Sequence, residues 1–141
     1  MNIQQISVFL ENRTGQLAEI TQLLAEKGVN LRAISIAETS DYGILRMIVD
    51  DPIKTKDILI ANGFMISINT VIGIQVGDVP GGAAAVLKIL SQNRISIDYM
   101  YAFCSKIEGR ACIIIRTDFT DQAIKVLTEN NVKAVTVEDL K

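Results

Sequence analysis

Two polar bends hold the residues best suited to grip a small charged molecule. The first, Glu11-Asn12-Arg13-Thr14-Gly15-Gln16, follows the apolar alternation Ile6, Val8, Leu10 and precedes a helix-like run that ends at Gly28. The second, Asp78-Val79-Pro80-Gly81-Gly82, stands in the same relation to its own surroundings. A helix start leaves its first backbone N–H groups without intrahelical partners and carries the positive end of the helix dipole, so it attracts a carboxylate. Glycine at 15, 81 and 82 lets a ligand reach the backbone with no Cβ in the way. Asn12 accepts from an ammonium and donates to a carboxylate, whereas ionised Asp78 only accepts and therefore suits an ammonium. This is chemistry for holding a zwitterion rather than converting one. The chain has no histidine, the commonest general base, and nothing in the sequence sets two carboxylates together for acid–base work. The small-residue run at 81–85 lacks both G-x-G-x-x-G and a Walker lysine, so close helix packing explains it better than phosphate binding.

The 141 residues suffice for one ordinary domain or two small ones. Hydrophobic residues make up 49% but aromatics only 5%, so the core must be aliphatic. A net charge of −2 offers no electrostatic footprint for nucleic acid or an anionic membrane. No apolar run approaches the roughly 18–20 residues of a spanning helix. The opening MNIQQISV lacks a basic stretch followed by a long apolar core, and the expected location is cytoplasmic. Cys104 and Cys112 cannot alone supply the four ligands of a structural zinc site. They flank a turn at residues 106–109, where they can face each other across two strands, and they read as buried free thiols of a reducing compartment.

The elements that must position the bends repeat. At an offset of 66 residues Gly15 meets Gly81, while Leu17, Ile20, Leu23 and Leu24 meet Ala83, Val86, Ile89 and Leu90. Val29 and Leu31 meet Ile95 and Ile97, and Gly43 meets Gly109. Beyond that point residues 58–66 match 125–135 only with two residues inserted in the second copy. The chain therefore reads as two units, 1–69 and 70–141, with a seam near Asn69 and Thr70.

The first unit reads as strand 3–10, helix 16–27 closed by Gly28, strands 30–38 and 44–49 around the turn at 39–43, a short helix 53–62 behind Pro52, and strand 64–69. The second reads as strand 71–76, helix 82–93, strands 95–104 and 111–116, helix 121–130 with Thr120 as N-cap, and strand 132–137. This order is βαββαβ, twice. Right-handed crossovers fold each copy into a four-stranded antiparallel sheet with two helices on one face, an α+β fold of the ferredoxin-like type. Residues 71–74 and 112–115 are apolar on both strand faces, so their second face needs cover from the sister unit or from another chain. Tyr99, Tyr101 and Phe103 alternate along one strand as core or interface residues, Met47, Met65 and Met100 read as core filler, and Arg32, Arg46 and Lys106 read as solvated.

ENRTGQL, followed by a helix ending KGVN, resembles the signature of the ACT domain, a ferredoxin-like regulatory module that binds amino acids and other small metabolites. Asn12, Gly15 and Gly28-Val29-Asn30 match in the first unit. Asp78-Val79-Pro80-Gly81 matches in the second, where Gly28-Val29-Asn30 becomes Arg94-Ile95-Ser96. Thr14 departs from the pattern by standing where proline is frequent. The likeness covers nearly the whole chain and implies a free-standing tandem.

In paired ACT units the turn of one partner commonly faces the start of the second strand of the other. The resemblance thus implies one site built from Asn12, Arg13, Gly15 and Gln16 with Ser96, Ile97 and Asp98. It implies another built from Asp78, Val79, Gly81 and Gly82 with Asn30 and Leu31, although Asn30 equally suits backbone pairing at a strand edge. The two sites are chemically unequal. The expected function is that of a non-catalytic, amino-acid-binding regulatory or sensor protein, assembled as a homodimer. The alternative is a regulatory subunit acting in trans on an amino-acid biosynthetic enzyme. An amino acid is the expected ligand, with no cofactor and no metal. RNA binding through paired aromatics on the central strands does not suit the aromatic-poor segments SVFL and LRMIV.

Overall fold

The computed structural model of the protein describes residues 1–11, 13–38 and 41–141. Asn12 and residues 39 and 40 of the expected turn lie outside them. The elements run β1 (Asn2–Glu11), α1 (Gln16–Glu26), β2 (Leu31–Glu38), β3 (Tyr42–Val49), α2 (Pro52–Ala61) and β4 (Met65–Gly77). They continue α3 (Gly82–Gln92), β5 (Tyr99–Cys104), β6 (Arg110–Arg116), α4 (Thr120–Glu129), β7 (Lys133–Ala134) and α5 (Val137–Leu140). The fold class is the expected one, a ferredoxin-like α+β arrangement occurring twice. Two compact units result, one of residues 4–69 with Lys141, the other of residues 1–3 and 70–140.

In the first unit the strand order is β2-β3-β1-β4. Ile6 and Val8 of β1 stand opposite Met47 and Leu45 of β3, and all four pack with Ile20 and Leu24 of α1 and Leu59 of α2 in one fully buried cluster. Both helices therefore cover the same sheet face. Each such aliphatic side chain contributes about 1.5–3 kcal/mol by leaving water. The opposite face holds a polar chain. Gln5 Nε2 donates to Ser7 Oγ at 3.2 Å, and Asn69 Oδ1 accepts from Ser7 Oγ at 3.0 Å and from Ser67 Oγ at 3.3 Å. Gln5 and Ser7 are buried, so these bonds satisfy groups that would otherwise be costly to desolvate.

In the second unit the order is β7-β4-β6-β5. Ile72, Ile74, Ile113 and Ile115 from its strands meet Val86 and Leu90 of α3 and Leu127 of α4. The other face is apolar as well, since Cys112 and Ile114 are buried opposite half-buried Phe103 and Tyr101. Residues 1–3 complete this unit. The Gly73 N–H donates to the Met1 carbonyl, and the Gly73 carbonyl accepts from the Val135 N–H, each at 2.9 Å. A Cβ on Gly73 would stand 2.5 Å from Ile3 Cδ1 and 2.7 Å from the Val135 carbonyl oxygen, so only glycine fits there.

Several expectations need correction. The two strands read on either side of the seam form one, β4, because Ile66, Ile68, Thr70, Val71 and Ile72 favour extended backbone and no glycine or proline interrupts them before Gly73. The inserted pair of residues comes earlier than the repeat suggests. Ile6 pairs with Met47, and its counterpart 66 residues on, Ile72, pairs with Ile115, which lies 68 beyond Met47. The β5–β6 hairpin therefore contains the insertion, and Gly43 corresponds to Ala111 rather than Gly109. Cys112 stands opposite Phe103, and Cys104 opposite Ala111, so the two cysteines are not cross-strand partners.

Residues 95–98 precede β5 instead of opening it. There the Ser96 carbonyl accepts from Thr117 Oγ1 at 2.6 Å and the Asp98 N–H donates to the Arg116 carbonyl at 2.9 Å. β7 stops after two residues. Asp139 accepts from both the Thr136 N–H and Thr136 Oγ1, which caps α5 in place of a longer strand. Thr120 begins α4, and Phe119 occupies the N-cap position. Met65 is 71% exposed and fills no core. Arg32 is not free in solvent: its guanidinium grips Asp50 with two bonds of 2.7 and 2.9 Å.

Candidate functional site

Both bends close in the same way. Gly15 precedes α1 at φ 86° and ψ −7°, and Gly81 precedes α3 at φ 87° and ψ −6°. This left-handed conformation strains any residue with a Cβ, which explains glycine at both positions. In each bend the first helical N–H turns back, from Gln16 to the Arg13 carbonyl at 3.4 Å and from Gly82 to the Val79 carbonyl at 3.0 Å. Among the described residues no side chain caps either helix start. α2 differs, since Asp51 accepts from the Lys54 N–H at 3.0 Å. Among the described residues, the first-turn amides that follow Gln16 in α1 and Gly82 in α3 are thus left for a ligand or for water. Among the described residues, and apart from the adjoining ones in the chain, no atom lies within 4 Å of the position a Cβ would take on Gly15 or Gly81, so both bends are open on that side. Gly82 has a different role. A Cβ there would run into the Gly77 carbonyl group, 3.1 Å from its carbon and nearer its oxygen. Its missing side chain lets the helix approach the end of β4.

Beside the first bend lies a cleft of about 200 Å³. Leu17 and Ile36 give it apolar walls, Glu11 and Glu38 bring carboxylates, and Gly15 opens the backbone to it. A wider cleft of about 360 Å³, bordered by Phe9, Asp41, Gly63 and Phe64, shares with it the wall of Leu10, Glu11, Gln16 and Tyr42. Gln16 is only 7% exposed, and among the described residues its Oε1 has no hydrogen-bond partner. Arg13 is held by Glu19 at 3.0 Å and by Glu11 at 3.8 Å.

Beside the second bend lies a cleft of about 500 Å³ reached by Val79, Gly81 and Gly82. Its charged lining is cationic, from Arg110 and Lys133, with Gln75 and Asn131 as neutral polar groups. Asp78 lines a separate cleft of about 490 Å³ with Ser105 and Glu108. Charge therefore distinguishes the two bends: carboxylates gather at the first and cations at the second.

The remaining candidates sit elsewhere in their units. Asn30 is exposed and Leu31 half-buried where β2 begins, Ser96 is exposed, and Ile97 packs on the core of the second unit. Asp98 is exposed. Within each unit an 11-residue helix, about 16 Å long at 1.5 Å per residue, separates the bend from these strand starts, so neither unit brings the two sets together by itself. Asn12 lies outside the described residues. Sequence reasoning missed Ile36, Glu38 and Tyr42 at the first bend and Arg110, Asn131 and Lys133 at the second. Gly63 and Asn131 offered a signal. They lie 68 residues apart, both have positive φ (82° and 57°), and both line clefts beside a bend.

Among the described residues, no three His, Cys, Asp or Glu side chains cluster so as to hold a metal ion, and no helix is long and apolar enough to cross a membrane. The family model for an ACT domain pair matches residues 1–141. A crystal structure of a protein from Bacteroides thetaiotaomicron is similar with 43% identity and a TM-score of 0.92, covering 99% of this chain and 96% of that one. The ligand-free regulatory subunit of aspartate kinase from Thermus thermophilus is similar with 17% identity and a TM-score of 0.62, covering 89% and 91%. Its counterpart from Thermus flavus has 17% identity and a TM-score of 0.61, covering 89% and 90%. These last two share the fold. No curated protein matches the chain.

Proposed function

The chain belongs to the ACT domain pair family, and from that premise we propose that it is a non-catalytic regulatory protein of the cytoplasm that senses a free amino acid at its strand-to-helix bends. The observation that carries the reading is the pair of glycine-closed helix starts, uncapped by any side chain among the described residues and each beside an open cleft. The first-turn amides would take the ligand carboxylate, and the acceptors around the first bend would take its ammonium. Asn30, Leu31, Ser96 and Ile97 are proposed to complete the sites of a second copy of the chain, which makes the assembly a homodimer. An amino acid of roughly ten heavy atoms at about 0.3–1.5 kcal/mol each reaches micromolar affinity or weaker. That range suits a metabolite sensor. Bound ligand shifts the conformational balance only by its difference in affinity for the two states.

Thermal-shift measurements against the twenty common amino acids test the reading. At 100 times its dissociation constant a ligand adds about 2.7 kcal/mol of stability. A flat response across the set would refute amino-acid sensing.

A second reading, a regulatory subunit acting in trans on an amino-acid biosynthetic enzyme, is supported by β2. It is an edge strand of its unit, and it exposes Ile34 (47%) and Ile36 (49%). Affinity capture from lysate at varied amino-acid levels tests it, and failure to recover any biosynthetic enzyme would count against it.

A further inference from the structure

We infer that the first bend selects amino acids with uncharged, apolar side chains, and that Gln16 reads the ligand's ammonium through its side-chain oxygen. This rests on the reading that the bend holds a zwitterion, and it specifies which one.

Gln16 is the first residue of α1 and is buried to 7% exposure, yet its Oε1 meets no donor among the described residues. A buried acceptor without a donor is costly, and a ligand that brings one recovers that cost. Gln16 stands in the wall common to the two clefts of the first unit, so a molecule in either cleft lies beside it. The charges there decide which end of a zwitterion it meets. Glu11 and Glu38 line the smaller cleft, and with the Gln16 oxygen they form a group of acceptors for an ammonium. The carboxylate goes to the uncapped start of α1.

What remains for the side chain is Leu17, Ile36 and Tyr42 around Gly43. Among the described residues Arg13 is the one cation in the lining, and Glu11 and Glu19 already hold it. Among the described residues of the lining an acidic side chain would find no unpaired cation and would face two carboxylates. A branched aliphatic side chain finds the walls it needs.

The test is calorimetric titration of the full chain with L-leucine, L-aspartate, L-lysine and 4-methyl-2-oxopentanoate, the leucine analogue that lacks the ammonium. Leucine is expected to bind at least about tenfold more tightly than each of the others, the scale of one hydrogen bond to a charged group. Gln16→Met keeps the length of the side chain and removes the acceptor. It should narrow the preference for leucine over the keto acid, leave the affinity for the keto acid unchanged, and raise the melting temperature of the ligand-free protein. Gln16→Glu keeps an acceptor and should retain leucine binding, which guards against a folding failure in the first variant. Tightest binding of aspartate or lysine would overturn the inference and leave amino-acid sensing intact. So would equal weakening of leucine and keto acid by Gln16→Met, because a structural role would move both. If no amino acid binds the natural chain, the inference falls together with the reading beneath it.

Discussion

Replacing Gly82 by alanine should destabilise the protein, although the same change on an ordinary exposed helix stabilises it. Alanine normally exceeds glycine by about 1 kcal/mol within a helix. Here the added Cβ would sit 3.1 Å from the Gly77 carbonyl carbon and nearer still to its oxygen. The obstacle is backbone at the end of β4, so no flexible side chain can give way. Relieving the overlap means shifting the bend between Gly77 and α3, and overpacking of this kind costs about 1–3 kcal/mol. Unfolding entropy near 2.1 cal/mol/K per residue amounts to about 0.3 kcal/mol/K over the 141 residues. A cooperative transition should therefore fall by about 3–10 °C. Urea denaturation should show a lower midpoint at unchanged slope. Gly81 supplies the control: it lies at φ 87° with open space where a Cβ would go. Alanine there costs about 1–2 kcal/mol in backbone strain alone, and asparagine, which tolerates that conformation, should recover part of it. Asparagine at 82 should recover nothing. If Gly82→Ala matches or exceeds the natural chain in stability, or if asparagine rescues position 82, the close approach to Gly77 is wrong.

The Arg32 guanidinium holds the Asp50 carboxyl below its ordinary range, chiefly through their hydrogen bonds. The folded pKa lies under the unfolded one, so this contribution is complete above about pH 4 and fades as pH falls through the folded value. Arg32→Gln should lower the urea midpoint at pH 7, and that loss should shrink as the pH falls below about 4. Asn69→Ala removes the acceptor shared by Ser7 and Ser67 and should cost about 1–3 kcal/mol, measured by the same denaturation, because Ser7 is buried. Burial pushes the Cys112 thiol up, so at pH 8 it should resist iodoacetamide in the folded protein and react in urea, as peptide mapping would reveal.

Local features of the fold were legible in the sequence. Periodic leucines and isoleucines mark α1 and α3, and glycines mark the bends, because both signals act within a few residues. Arg94 and Asn131 are harder to read. They adopt the left-handed conformation that Gly28 and Gly63 adopt in the first unit, and neither residue type announces it. Register was beyond local reading. Two extra residues in the β5–β6 hairpin move every later residue of the second unit relative to its counterpart, and only strand pairing reveals where they enter. The cleft walls were hidden for a related reason. Glu38 and Tyr42 reach the first bend, and Arg110 and Lys133 the second, by lying in strands that neighbour it in space and not along the chain. The charge contrast between the bends follows from Glu38, Arg110 and Lys133 together with Glu11 of the first bend, so it too required the fold.

Residues 1–3 belong with residues 70–140, and this bears on any attempt to dissect the protein. A cut after Asn69 does not release two self-sufficient fragments. The carboxy-terminal piece loses the carbonyl that receives the Gly73 N–H and the isoleucine side chain that packs against it. It is left with a bare strand margin beside a two-residue β7, a template for self-association. A peptide matching the opening residues of the chain should restore it by complementation.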